Sequence, residues 1–295
     1  MTSGPGDVSV VVLTRNSART LERCLKSAVD EHPGEIIAKD YNSTDATLEI
    51  LRRYRVKIIA EPSHEAGLGD ARRIGVLAAT CKYVMFVDSD VELTKGCISV
   101  MVDELEKKGW AGIQARLVSK ESLSYWQNMD YWEDTVVKAS PVGPRRSVAT
   151  AATIFRRDLI LREQFDPNMV YAEDVDLCVR LVRGGNVVGI SATAVAYHTF
   201  RRDFHSFVKG LVAAGRAYSA LARKYGSVMF LLRPMWDAAT YLMKSVATGR
   251  WNRLPYFVCI QVFVLIGMTT FRPARGNVRK FNGTHDTPIV FSTIH

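Results

Sequence analysis

An α/β architecture is predicted, with a mostly parallel sheet covered by helices on both faces and a helical region after it. Three observations lead there. From Val8 to about Ile113, short β-rich runs alternate with stretches of helical length. The runs are nearly continuous in apolar residues, as strands buried on both faces are. Carboxylates stand at their ends, at Asp40, Asp88 and Asp90, where open parallel sheets bind ligands.

The elements follow in order. "VSVVVL" (Val8–Leu13) is the first strand, followed by a helix over roughly Ser17–Asp30. "EIIAK" (Glu35–Lys39) leads into "DYNSTD", a loop rich in turn formers. Ser43 and Asp45 are suited to cap a helix over roughly Ala46–Tyr54. "VKIIA" (Val56–Ala60) comes next, then a helix over Gly69–Ala79. Its "GLGD" entry lacks the third glycine and the following acidic residue of a dinucleotide loop. "YVMFV" (Tyr83–Val87) ends on Asp88-Ser89-Asp90. A strand that stops at a turn needs one Asp at most. Two carboxylates one residue apart suit a divalent cation.

The 295 residues suffice for one large domain or one domain with an appendage, and 47% hydrophobic content supports a full core rather than a disordered chain. A net charge of +9 favours anionic partners. Five cysteines without C-x-x-C spacing read as reduced thiols. Met1–Asp7 has no basic and apolar regions of a signal peptide.

A second acidic group lies in "FDPNMVYAEDVDLCVRLVRGG" (Phe165–Gly185). Glu173, Asp174 and Asp176 open a helix whose apolar residues are Leu177, Val179 and Leu181, stopped by Gly184–Gly185. Three carboxylates in four residues exceed what the helix dipole asks for, and one beside a bound phosphate suits a general base. His198 ends an apolar strand and precedes Arg201 and Arg202. That setting suits metal binding by His198 and acceptor or phosphate contacts by the arginines. An imidazole among carboxylates favours Mn2+ over Mg2+.

Four stretches then form a known pattern: "VSVVVLTRN", "EIIAKDYNSTDAT", "ARRIGVLAATCKYVMFVDSD" and "FDPNMVYAEDVDLCVRL". In this order, over roughly residues 8 to 200, the chain resembles an inverting family-2 glycosyltransferase of GT-A fold. The resemblance implies that Leu13, Thr14, Arg15 and Asp40 border the nucleobase and ribose. It brings Arg72 to the nucleotide, and Asp88, Ser89 and Asp90 to the ribose, metal and diphosphate. Asp174 becomes the base supported by Glu173, and His198 stands near the metal. Three positions depart from the family pattern: Tyr41 holds a slot often acidic, Lys39 interrupts an apolar strand end, and Arg73 stands where Asn is common. The Q-x-x-R-W of processive synthases is absent from the sequence, which implies a single sugar addition.

After residue 203 the composition changes. Phe204, Phe207, Leu211, Ala214, Tyr218 and Leu221 form an apolar stripe, with Arg202, Lys209, Arg216 and Arg223 opposite. Such a helix, over 204–226, suits a membrane interface. Hydrophobic helices are expected over 227–275 and a polar tail over 276–295. Leu254–Phe271 is an uncharged run of spanning length. Ser227–Thr248 is interrupted by Arg233, Asp237 and Lys244. Basic residues on both flanks of such a hairpin direct the catalytic domain, residues 1–203, to the cytoplasm. Together with the resemblance, this implies a nucleotide sugar, best GDP-mannose, as donor. The acceptor would be lipid-linked, of the polyprenyl or dolichyl phosphate type, and no nucleic acid would bind. Rival readings fit the residues less well. A haloacid-dehalogenase-type phosphohydrolase expects Thr or Val where Glu92 stands. A nucleotide-sugar-binding membrane protein without catalysis would not need intact carboxylates.

Overall fold

The computed structural model describes residues 3–60, 67–120, 125, 142–199, 203–247, 249 and 251–271. The chain divides into two compact units, Met1–Phe204 and His205–His295.

In the first unit, the predicted strands are β1 (Val8–Thr14), β2 (Glu35–Asp40), β3 (Lys57–Ala60) and β4 (Tyr83–Asp88). The predicted helices between them are α1 (Ala18–Asp30), α2 (Thr47–Arg52) and α3 (Leu68–Ala78). Then follow β5 (Val91–Leu93), α4 (Cys97–Lys108), β6 (Gly112–Val118), β7 (Gly143–Arg145) and β8 (Ala152–Arg156). The unit's regular elements end with α5 (Arg157–Glu163), α6 (Glu173–Arg183) and β9 (Val188–His198). The strand order is β3-β2-β1-β4-β8-β6-β9-β5, with β7 on β9. Only the β3-β2-β1-β4 half is parallel throughout. β8 runs antiparallel to both β4 and β6, and β5 and β7 run antiparallel to β9. The sheet is therefore mixed: to the expected parallel strands it adds antiparallel pairings. Apolar periodicity marks a buried strand but not its direction, which is why the sequence alone does not reveal this.

Each face of the sheet carries a core. Val10, Val12, Met85 and Val87 meet Leu21 and Leu25 of α1 and Met101 and Leu105 of α4. Val11, Ile37, Val84 and Phe86 meet Val76 of α3 and Leu177 and Leu181 of α6. Phe86 is fixed edge-on between Phe155 and Phe165, with ring centroids 6.4 and 5.3 Å away. The N-cap of α2 is Ala46, not Asp45, but Asp45 just before it still holds two helix starts, accepting the Thr47 N–H at 3.0 Å and the Ala18 N–H at 3.1 Å. Ser43 does not. Its hydroxyl donates to Asp40 Oδ1 at 2.6 Å and accepts the Asn16 N–H at 2.9 Å, so it ties two loops together instead.

β9 reaches the strand-end cleft through an irregularity. Gln114 pairs with Ile190, yet Arg116 pairs with Val195, so residues 191–194 bulge from the ladder. Glu104 of α4 holds them. Its carboxylate accepts the hydroxyls of Ser191 and Thr193, each at 2.7 Å, and the Lys108 ammonium lies 2.9 Å away.

In the second unit, α7 (Phe204–Tyr225), α8 (Met229–Ala247) and α9 (Leu254–Thr269) pack together. Of the α7 stripe expected at a membrane interface, Phe207, Leu211 and Leu221 are buried, while Phe204 stays exposed. Phe207 lies 5.3 Å from the Tyr256 ring, and Ser219 donates to the Met268 carbonyl at 3.3 Å. A Cβ on Gly215 would meet Gly267 Cα at 2.8 Å, so α7 and α9 cross at backbone contact. Large apolar side chains instead remain exposed on α8 (Leu232, Trp236, Met243) and α9 (Val258, Val262, Leu265). Among the described residues, one helix, Trp251–Thr269, is long and apolar enough to cross a membrane. α8 is not such a helix, since it carries three charged residues, Arg233, Asp237 and Lys244.

Glu104 yields the first prediction. Burial alone would raise its pKa, but the hydroxyls of Thr193 and Ser191, Lys108 and the Ala192 N–H take it to about 2, from an ordinary 4.5. A depressed carboxylate stabilises the fold above pH 4.5 and loses that contribution as the pH falls towards 2. Glu104→Gln should therefore cost about 2 kcal/mol at pH 7 and progressively less below pH 4. Urea unfolding at the two pH values measures it, and an equal cost at both would refute it.

Candidate active site

The cleft is built by register. Leu13 of β1 faces Lys39 of β2 on one side and Asp88 of β4 on the other, so three strands end in one row. One residue further along, on the opposite face, Thr14 faces Asp40. Thr14 Oγ1 donates to Asp40 Oδ1 at 2.8 Å, and both residues are buried. Asp40 Oδ2 also accepts the Ser43 N–H at 3.0 Å. This carboxylate locks the β1 and β2 loops where the resemblance expects a nucleobase. Arg15 is exposed beside it.

Asp88 ends β4, its N–H donating to the Ala151 carbonyl at 2.9 Å. Ser89 then turns its hydroxyl to Ser17 Oγ, 2.8 Å away, which pins the Asp88–Asp90 turn to the front of α1. The short strand β5 pairs Val91 with His198. That pairing brings Asp90 Oδ1 to 3.6 Å from His198 Nε2, although the two are far apart in sequence. Arg72, projecting from α3, lies 3.9 Å from Asp88 and forms an ion pair with Glu173, the first residue of α6. Asp174 is partly exposed at the same helix start, its Oδ1 accepting the Val175 N–H at 2.7 Å.

The electrostatics bind these groups into one cleft. Withdrawal from water raises the Asp88 pKa to about 6; Arg72 and His198 oppose the rise, while Asp90 and Asp174 add to it. With 40% of its side chain accessible, Asp88 still opens to ligand. The structure thus gathers Asp88, Asp90, His198, Arg72, Glu173 and Asp174. Leu13, Thr14 and Asp40 line the neighbouring strand ends. Arg201 and Arg202 lie outside the described residues.

No group of three or more His, Cys, Asp or Glu side chains converges as a metal cage among the described residues. Asp90 and His198 nonetheless make a carboxylate–imidazole pair open to a divalent ion, and Asp88 stands beside them. A hard cation held by few protein groups is completed by ligand phosphates. The donor set fits Mn2+ or Mg2+ on those terms.

Two residues hold the site in ways their sequence positions did not announce. Tyr41 donates to the Gly67 carbonyl at 3.2 Å, tying β2 to the start of α3, and burial pushes its pKa up to about 12. Ser17, read as the helix start, also anchors Ser89. Only its position after "LTRN" hinted at the strand end.

A mixed sheet with this strand-end cleft is a GT-A-type α/β fold. A mannosyltransferase from Pyrobaculum calidifontis, solved with GDP-Man and Mn2+, has the same architecture: TM-score 0.66, 18% identity, 91% of this chain and 87% of that one. The sequence pattern of glycosyl transferase family 2 matches residues 9–171, and the chain belongs to that family. The pre-mycofactocin glycosyltransferase of Mycobacterium tuberculosis is 26% identical over 292 residues. That match covers 92% of this chain but only 59% of the relative's length. A Campylobacter jejuni GalNAc(5)-diNAcBac-PP-undecaprenol beta-1,3-glucosyltransferase is 24% identical over 206 residues, 66% of each chain.

The Thr14–Asp40 bond is testable without knowing the substrate. Thr14→Val keeps the shape and deprives a buried carboxylate of one donor, so stability should fall by about 1–3 kcal/mol. The urea midpoint reads this. An unchanged midpoint would mean that the two Ser43 bonds suffice.

Proposed function

We propose that the protein transfers one sugar, with inversion, from a nucleotide diphosphate sugar to a hydroxyl of a lipid-linked acceptor at a membrane face. The observation that carries this reading is the gathering of Arg72, Asp90, His198 and Asp174 about Asp88 at the strand ends. The acceptor oxygen attacks the anomeric carbon from the far side while Asp174 takes its proton. The bond from that carbon to the diphosphate oxygen breaks, and the nucleotide diphosphate leaves with the electron pair. Asp90 and His198, with Asp88 beside them, would hold a divalent ion, which offsets charge on the departing diphosphate. Leu13, Thr14, Arg15, Asp40 and Ser89 border the nucleoside side in this reading. GDP-mannose as donor, and hence mannosyl transfer, draws support from the GDP-Man and Mn2+ bound by the Pyrobaculum fold neighbour. A polyprenyl-type acceptor draws support from the undecaprenol-linked substrate in the Campylobacter relative's name.

The membrane part of the reading rests on charge. Residues 205–295 hold twelve Lys and Arg against two Asp, while residues 1–204 hold 27 basic against 28 acidic. All of the chain's excess positive charge therefore sits in the unit that exposes Trp236, Met243 and Val258. Basic residues around an apolar surface suit the anionic cytoplasmic leaflet.

Two experiments test this. Asp174→Asn keeps the side-chain size but removes the proton acceptor, so turnover should drop by about 10²-fold or more with donor affinity preserved. Full activity in that variant would point to an acceptor that is already ionised, such as a phosphate. Separately, the full chain should float with phosphatidylcholine–phosphatidylglycerol vesicles more strongly than with phosphatidylcholine alone, and the difference should shrink in high salt. Protein left at the bottom of both gradients would reject membrane attachment.

A further inference from the structure

We infer that Glu173 serves the reaction through Arg72, as a positioning residue for a donor-side cation rather than as a partner in proton transfer. The inference rests on the glycosyltransferase reading, and it departs from the role the family resemblance gives Glu173. A residue that helps a base must share the base's exposure to the acceptor. Glu173 does not. Its side chain keeps 4% of its surface and its carboxylate is engaged by Arg72, while Asp174, one residue on, is partly open.

Arg72 is held on three sides. Its side chain keeps 7% of its surface. The guanidinium lies 6.0 Å from the centroid of the Phe86 ring, beside Asp88 at 3.9 Å, and against Glu173. Its Nε and Nη1 are both buried with no hydrogen-bond partner among the described residues, although Nη1 is in ion-pair contact with Glu173. The cation is thus placed at the strand-end cleft with hydrogen-bonding capacity unspent. A guanidinium between two carboxylates is drawn to both. Glu173 keeps it from closing onto Asp88, which the proposed reaction needs free for the donor and its metal ion.

The same contact ties the donor side to the base. Glu173 and Asp174 share the first turn of α6, so the ion pair that places Arg72 also fixes the turn carrying Asp174. α3 and the approach to α6 meet without space between them. A Cβ on Gly67 would stand 2.6 Å from Val170 Cα, and the Gly69 N–H donates to the Met169 carbonyl at 3.1 Å. Arg72 therefore sits on a helix that cannot shift without moving the chain leading to Asp174.

The test compares Glu173→Gln, Arg72→Lys, their double variant and Asp174→Asn in the full chain. Affinities for GDP and UDP in Mn2+ are read by calorimetry, and turnover is read with whichever nucleotide sugar supports transfer. Glu173→Gln should weaken the preferred nucleotide about tenfold and lower turnover at saturating donor by far less than Asp174→Asn does. Arg72→Lys, a point charge that cannot fork between two carboxylates, should weaken it similarly. The double variant should lose little more than either single one. Glu173→Asp, which keeps the charge, should restore part of the affinity. Turnover lost in Glu173→Gln with nucleotide affinity unchanged would put Glu173 in the proton path and overturn the inference. So would independent, multiplying losses in the double variant, or wild-type affinity in Glu173→Gln. If Glu173→Gln does not fold, Arg72→Lys with unchanged affinity overturns it equally. Failure of the catalytic reading looks different: Asp174→Asn would stay active while the affinity losses at Arg72 and Glu173 remained.

Discussion

The parallel registration of β1 with β2 and β4 is the constraint on which the site depends. A parallel ladder admits side chains only in fixed rows, so pairing Leu13 with both Lys39 and Asp88 brings three chain segments to one level. A slip of one residue in either pairing would put Asp88 or Lys39 on the opposite face. The cores on the two faces prevent it: Val10 and Val12 must meet α1 while Val11 meets α3 and α6. Packing thus fixes where the carboxylates stand.

Much of this half was legible in the sequence, for a physical reason. Apolar runs of strand length alternating with helices leave little choice but a covered sheet, and Asp at the end of such a run has no structural need to be there. The opening of α6 was legible too, because Glu173, Asp174 and Asp176 precede an apolar helix face that Gly184 stops. What could not be read were relations between distant segments. The approach of Asp90 to His198 depends on the three-residue strand β5, too short to stand out. The orientation of Glu173 depends on a helix a hundred residues earlier, since a carboxylate at a helix start reads the same whether it faces solvent or a buried guanidinium. The antiparallel insertion of β8 was invisible for the same reason.

The second unit teaches a related lesson. Its first helix is amphipathic in sequence, and an amphipathic stripe states only that one face avoids water. It does not state what covers that face. In α7 the cover is α9, brought to backbone contact by Gly215 and Gly267. Most of the large apolar side chains left exposed belong to α8 and α9. An apolar stripe is therefore weaker grounds for a surface than the apolar residues that remain once the helices have paired.

The bulge in β9 has a consequence of its own. Ile190 and Val195 pair with Gln114 and Arg116, which lie on the same face of β6, although five positions separate the first two and two separate the others. The strand has therefore changed phase. Ile190 joins one core, and Ala196, an even number of positions later, joins the other. His198 inherits the inverted phase and so meets Asp90 instead of facing away. For residues 191–194, then, the number of residues matters more than their identity. Exchanging a side chain there disturbs the bonds to Glu104, the Ser191 hydroxyl's bonds to the Thr193 and Ala194 N–H groups, or the packing of Ala194, whereas adding or removing a single residue turns the imidazole to the other side of the sheet.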